Sequence, residues 1–155
     1  MQSDLQVRAA GLDDIEPLLA LYRQLIPEDP ALEVADARRI LEQFSRFAGS
    51  AIFIGHVGKT LVATCALVVI PNLTRGGPPY ALIENVVTDT AHRKRGYGRA
   101  LLNAAVAHAW QAGCFKVMLL TGSKNPATLR FYEDLGFERT KTGCEIRRIP
   151  SRNAG

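Results

Sequence analysis

The stretch that most limits how this chain can fold runs from Tyr80 to Ala112. Its first part, Tyr80 to Thr88, is apolar and β-branched and reads as a strand. A short basic loop with two glycines follows, Arg93 to Gly98. A helix with one apolar face then covers Arg99 to Ala112. A strand that passes through a glycine loop into a helix N-terminus forms an anion cradle. The first N–H groups of the helix have no partner inside it, and the helix dipole there favours negative charge. Gly96 and Gly98 let the backbone approach an anion with no Cβ between them. The expected ligand is therefore phosphorylated.

The loop excludes two common phosphate sites. No G-x-x-x-x-G-K-[ST] stretch occurs, and after Gly96-Tyr97-Gly98 the third glycine of a dinucleotide fingerprint is replaced by Leu101. Arg93, Gly96 and Gly98 do fit R-x-x-G-x-G, which resembles the pyrophosphate motif of the GCN5-related N-acetyltransferases. A second match starts 27 residues after Gly98, at Asn125. There Asn125, Tyr132, Gly136 and Phe137 resemble that family's N-x(6)-Y-x-x-x-G-F signature. The resemblance covers about Ala51 to Ile149, within one domain expected to span residues 1–155.

Other segments read as follows. Gln6 to Ala10 is a first strand. Asp13 and Glu16 suggest a capping box for a helix carrying Ile15, Leu18, Leu19, Tyr22 and Leu25. A second helix, Glu33 to Ala48, places Ala37, Ile40, Leu41, Phe44 and Phe47 on one face. Ala51 to His56 and Thr60 to Ile70 form a hairpin, and Pro71 to Pro79 is a loop. Phe115 to Thr121 reads as a strand covered on both faces, with Gly113 ending the helix before it. Asn125 caps the next helix, and Phe137 to Thr140 with Cys144 to Ile149 suggest a closing hairpin around Gly143. The order β-α-α-β-β-β-α-β-α-β-β predicts an α/β fold with one mixed sheet, the order of the resembled family.

Composition narrows the class. An apolar fraction of 47% suffices for a core at 155 residues. No run of 18 apolar residues or N-terminal signal pattern occurs, so no membrane partner is expected. Cys65, Cys114 and Cys144 are odd in number and widely spaced, which favours free thiols and a reducing cytoplasm. The net charge of +4 sits largely in Arg93 to Arg99 and Arg147 to Arg152, with no aromatic platform beside it, so nucleic acid is not the expected partner. His56, His92 and His108 show no metal spacing, and no metal is expected.

The resemblance implies acetyl-coenzyme A as co-substrate. Pyrophosphate falls to the backbone from Lys94 through Tyr97 to Gly98, with charge from Arg93, Lys94 and Arg95. The pantetheine arm falls to the backbone of Val86, Val87 and Thr88, where the family also finds its oxyanion donor. Asn125 is a helix cap that also touches this arm in the family pattern. Tyr132 matches the general acid that protonates the departing thiolate, against a plain core aromatic. Glu84 stands as a carboxylate in an apolar strand, either as a general base with pKa raised by burial or as half of a salt bridge.

The acceptor expected is a small-molecule amine. Ile83 to Val87, Gly113 to Lys116 and Glu145 to Arg148 look similar to glucosamine-6-phosphate N-acetyltransferases, which implies an amino-sugar phosphate and a homodimer. Arg75, Asn85 and Arg147 join Glu84 as candidate acceptor contacts, the arginines through bidentate forks. A protein acetyltransferase and a non-catalytic acetyl-coenzyme A sensor of the same fold remain as alternatives.

Overall fold

A computed structural model describes residues 4–151, which divide after Leu119 into two compact units. The first unit holds a five-stranded sheet in the order β1 (Gln6–Ala9), β2 (Ala51–Val57), β3 (Thr60–Ile70), β4 (Tyr80–Thr88) and β5 (Val117–Leu119). The first four strands are antiparallel, and β5 lies parallel to β4, so the sheet is mixed. Its helices are α1 (Ile15–Leu25), α2 (Val34–Phe44) and α3 (Tyr97–Gln111).

The strand period assigns the helices to faces. Ile52 packs with the buried Ile15, Ala37 and Leu41 of α1 and α2. The next residue, Phe53, sets its ring against His108 of α3 at a centroid distance of 5.1 Å. Successive side chains of a strand point to opposite sides, so α1 with α2 and α3 cover opposite faces. On α1, Ile15, Leu18 and Leu21 make the buried stripe. Burying a side chain of this size contributes about 1.5–3 kcal/mol, which holds a helix too short to persist alone.

Local chemistry sets the ends. The carboxylate of Asp14 accepts from Gly11 N at 2.7 Å and pairs with Arg8, so the cap before α1 uses Asp14 rather than the expected Asp13–Glu16 box. Helix α2 stops at Phe44, four residues early, and only Ala37 and Leu41 of its predicted face are buried. Phe47 lies beyond the helix and is exposed. Strand β5 is three residues long and half-buried, rather than seven and fully covered.

The second unit contains α4 (Pro126–Asp134). Among the described residues of this unit no strand forms, so the predicted closing hairpin is absent. Residues 138–151 are exposed. Gly143 is not in the left-handed conformation that a tight hairpin turn requires. Its missing Cβ instead faces Leu120 Cδ2, which such a carbon would meet at 2.7 Å. Local ion pairs, Arg139 with Glu133 and Arg147 with Glu145, occupy charges of this segment. A two-stranded ribbon without a third strand is marginal in water.

Candidate active site

The site in the first unit begins where β4 loses its outer neighbour. Strand β5 pairs with β4 at Ala81, Leu82 and Ile83 and no further. Among the described residues, no strand pairs with that edge of β4 from Glu84 to Thr88. On the other edge the register slips: Ala66 faces Glu84, but Thr64 faces Val87. Two residues of β3 thus span three of β4, which is a β-bulge. Asn85 carries it, with φ of 54°. Asparagine tolerates the left-handed region better than most side chains, and that is the one local hint of the bulge in the sequence.

Glu84 lies directly before the bulge. Its register partner Ala66 also faces Ile52, so Glu84 projects on the α1–α2 face. It is exposed, which corrects the expectation of a buried carboxylate. Val86 is half-buried, Val87 buried and Thr88 half-buried, so the side chains serve the core while the backbone edge stays open.

The chain then curls. A short 3-10 turn, Thr90–His92, is capped by Asp89, which accepts from Ala91 N. Lys94 at φ 62° and Gly96 at φ 80° are both left-handed. Such turns gather successive N–H groups into anion-binding concavities. Helix α3 starts at Tyr97, two residues earlier than predicted, so Gly98 sits in its first turn rather than in the loop. A Cβ at Gly96 would meet no atom within 4 Å, so the cradle is open on that side.

The predicted cations divide. Arg93 donates from Nε to the carbonyl of Thr88 at 3.2 Å, tying the loop back to the strand end. Lys94 and Arg95 are exposed. The Tyr97 ring is 6% exposed, and its hydroxyl donates to Asp4 Oδ1 at 2.9 Å. That bond raises the Tyr97 pKa, with burial adding to it. Its side chain is thus a core element, and the cofactor contact expected of Tyr97 concerns its backbone N–H alone.

Arg75 is left-handed at φ 55° and stacks over Phe115 at 5.2 Å. It stands before Tyr80, and Glu84 lies about 13 Å further along β4 at 3.3 Å per residue. The structure therefore does not bring Arg75 to Glu84. One side chain that carries no mark in the sequence does reach the loop: Gln24 of α1 donates to Asp89 Oδ1 at 2.7 Å. Nothing local distinguishes a lone glutamine on a helix as such a contact.

In the second unit, Asn125 accepts from Ala127 N at 3.0 Å and caps α4, with Pro126 at the first position. At the other end Gly136 N donates to Glu133 O and Phe137 N to Tyr132 O, with Gly136 at φ 93°. This is a Schellman motif, in which the residue after the glycine packs on the third from the helix end. Tyr132 and Phe137 make that contact, with ring centroids 6.1 Å apart. The spacing Tyr-x-x-x-Gly-Phe is thus a helix stop as well as a candidate acid. Tyr132 is half-buried beside Phe131. Arg147 is exposed and already paired with Glu145 at 2.8 Å, which raises its pKa.

Taken alone, an unpaired strand edge leading into a left-handed basic loop at a helix N-terminus suits an extended ligand with a phosphorylated end. The chain matches the model of the Acetyltransferase (GNAT) family over residues 16–137. It belongs to that family and is by class an N-acetyltransferase. It is 33% identical over 136 residues to glucosamine 6-phosphate N-acetyltransferase of Trypanosoma brucei brucei, covering 86% of this chain and 89% of that one. A putative acetyltransferase of Agrobacterium tumefaciens superposes with a TM-score of 0.88 at 46% identity, over 92% of this chain and 99% of the other. An aminoglycoside N-acetyltransferase solved with coenzyme A shares the fold at a TM-score of 0.77 and 20% identity, covering 93% and 94%.

Proposed function

We propose that the chain transfers an acetyl group from acetyl-coenzyme A directly to a primary amine of a small molecule, in a ternary complex. The observation that carries this reading is the outer edge of β4, which no strand among the described residues pairs from Glu84 to Thr88 and which leads to the left-handed loop at the start of α3. Acetyl-coenzyme A supplies the activated thioester. An extended pantetheine arm would add to the sheet edge through the backbone of Val86, Val87 and Thr88, as peptides add to open sheet edges elsewhere. The loop amides from Lys94 to Gly98 would hold the pyrophosphate, with Lys94 and Arg95 as nearby cations. Arg93 acts on the loop by holding it to Thr88. A main-chain N–H of this segment, next to the bulge at Asn85, would be the oxyanion donor.

Glu84 takes the proton of the acceptor amine, directly or through one water, which its exposure allows. Tyr132 is assigned the proton donor to the thiolate on the family resemblance. The acceptor is read as an amino-sugar phosphate because the Trypanosoma relative bears that name. One domain over residues 1–155 is supported by a family match that crosses the boundary between the two units. A homodimer would cover Ile146 and Ile149, both exposed in the single chain. The reduced thiols of Cys65 and Cys114, both buried, fit a cytoplasmic setting.

The test is calorimetric titration with acetyl-coenzyme A, with dephospho-coenzyme A and ATP as controls. One-to-one binding tighter than that of ATP, abolished by Gly98→Asp, is expected. A folded protein with no such binding overturns the reading. A thiol-release screen of amines then ranks acceptors, amino-sugar phosphates first; turnover of peptides alone replaces the small-molecule acceptor with a protein one.

A further inference from the structure

We infer that Gln24, on α1, is a positioning residue for the pyrophosphate loop, setting cofactor affinity without touching the cofactor. The inference rests on the acetyl-coenzyme A reading of that loop.

The Gln24 amide spends three hydrogen bonds on two consecutive residues. Nε2 donates to Asp89 Oδ1 at 2.7 Å. Oε1 accepts from Thr90 N at 2.9 Å and from Thr90 Oγ1 at 2.8 Å. Asp89 is itself the junction between strand and loop. Its N–H donates to Val62 O at 2.7 Å, fixing it to β3. Its second oxygen, Oδ2, accepts from Ala91 N at 3.2 Å and pairs with His92 Nδ1. Helix, strand and loop thus meet on one carboxylate and one amide, at a sequence separation of 65 residues.

The chemistry of this bracket matters more than its position. A carboxylate next to a pyrophosphate cradle repels the ligand unless its charge is directed elsewhere. Here each oxygen is engaged, one by Gln24 and one by Ala91 and His92. The Asp89 carboxyl is held below its usual range, first by the Gln24 hydrogen bond and then by His92. Removing Gln24 frees one oxygen and leaves the Thr90 N–H and hydroxyl without their acceptor. The start of the 3-10 turn then loses its outside anchor, and the left-handed residues Lys94 and Gly96 must be held by the loop alone.

The amide and the carboxylate can also be exchanged. In Gln24→Glu, two carboxylates face each other at hydrogen-bond distance. Adding Asp89→Asn restores a donor: the amide introduced at position 89 can give its N–H to the carboxylate introduced at position 24 and keep its oxygen for Ala91 and His92. The carboxylate at position 24 still accepts from Thr90.

The experiment measures acetyl-coenzyme A binding by calorimetry and ligand-free Tm for wild type, Gln24→Ala, Gln24→Glu and the double variant Gln24→Glu/Asp89→Asn. Losing a hydrogen bond to a charged group is worth about a tenfold change in Kd, which is the weakening expected for Gln24→Ala. Gln24→Glu should weaken binding further, and the exchanged pair should recover to within roughly threefold of wild type. A Gln24 that only stabilises the fold would lower Tm and leave Kd unchanged well below the melt, and that result overturns the inference. So does a double variant no better than Gln24→Glu alone. Failure of wild type to bind acetyl-coenzyme A is a separate outcome, which removes the cofactor reading itself.

Discussion

Asn85→Val tests whether the bulge in β4 is needed. The residue sits at φ 54°, between a register of Ala66 with Glu84 and one of Thr64 with Val87. Two responses are open to a β-branched side chain there. It can stay left-handed, at a cost of about 1–2 kcal/mol beyond that of asparagine. For a chain of this size that lowers Tm by about 2–8 °C. Or the strand can straighten and lose the extra residue, which turns every side chain after it to the other face. Val87, 5% exposed, would then leave the core. In both cases the backbone around position 85 moves, and with it the main-chain N–H proposed as the oxyanion donor. One oxyanion donor is worth about 3 kcal/mol, so kcat should fall roughly a hundredfold. Asn85→Gly keeps the left-handed backbone and should hold kcat within about threefold and Tm within about 2 °C. The assay is steady-state thiol release with a thermal melt of each variant. Wild-type kcat and Tm in Asn85→Val would refute the strained bulge. If glycine proves as damaging as valine, the asparagine side chain is what matters, not its backbone.

Three further outcomes are expected. Tyr132→Phe keeps the ring contacts with Phe131 and Phe137, so acetyl-coenzyme A binding should hold while kcat drops roughly a hundredfold; undiminished kcat removes it as the acid. Arg8→Ala should lower Tm by about 1–2 °C at pH 7, a small effect because Arg8 is half-exposed and its pair with Asp14 is screened. Asp14 is held below the usual carboxylate range, by the Arg8 hydrogen bond first. The stabilisation is therefore present above the ordinary Asp range and is lost as pH falls through the lowered folded value, so the two melts should converge once the pH lies below that value. A gap that persists at low pH would assign the loss to packing instead. Asn125→Ala should cost about 1 kcal/mol locally, seen as faster amide exchange in the first turn of α4; unchanged exchange there would mean that the side-chain cap does not hold that turn.

The elements that local chemistry writes are legible in the sequence. Period-two and helical patterns mark β2, β3, β4, α1 and α3. Asn125-Pro126 and Gly136 mark both ends of α4. What escapes depends on partners far along the chain. The bulge is a mismatch between β3 and β4, visible only once they pair. Glu84 is exposed on the face that α1 and α2 cover, and an apolar run cannot show that. Tyr97 reads as part of the loop because it stands between two glycines, yet its hydroxyl finds Asp4, 93 residues away. Gln24 is the same kind of case. The expected closing hairpin fails for a local reason, since Gly143 supplies composition without the turn geometry.

The unpaired edge of β4 has a consequence outside the chemistry. Among the described residues no strand covers that edge from Glu84 to Thr88, and an edge left open in this way can also pair with another extended chain, including a neighbour's. Natural proteins usually close such edges, and on the proposed reading closure here would block the cofactor arm. Glu84 and the kinked Asn85 are the guards at hand, one by charge and one by interrupting a flat strand. The bound co-substrate would be a third, so this protein should be most prone to self-association when starved of its ligand.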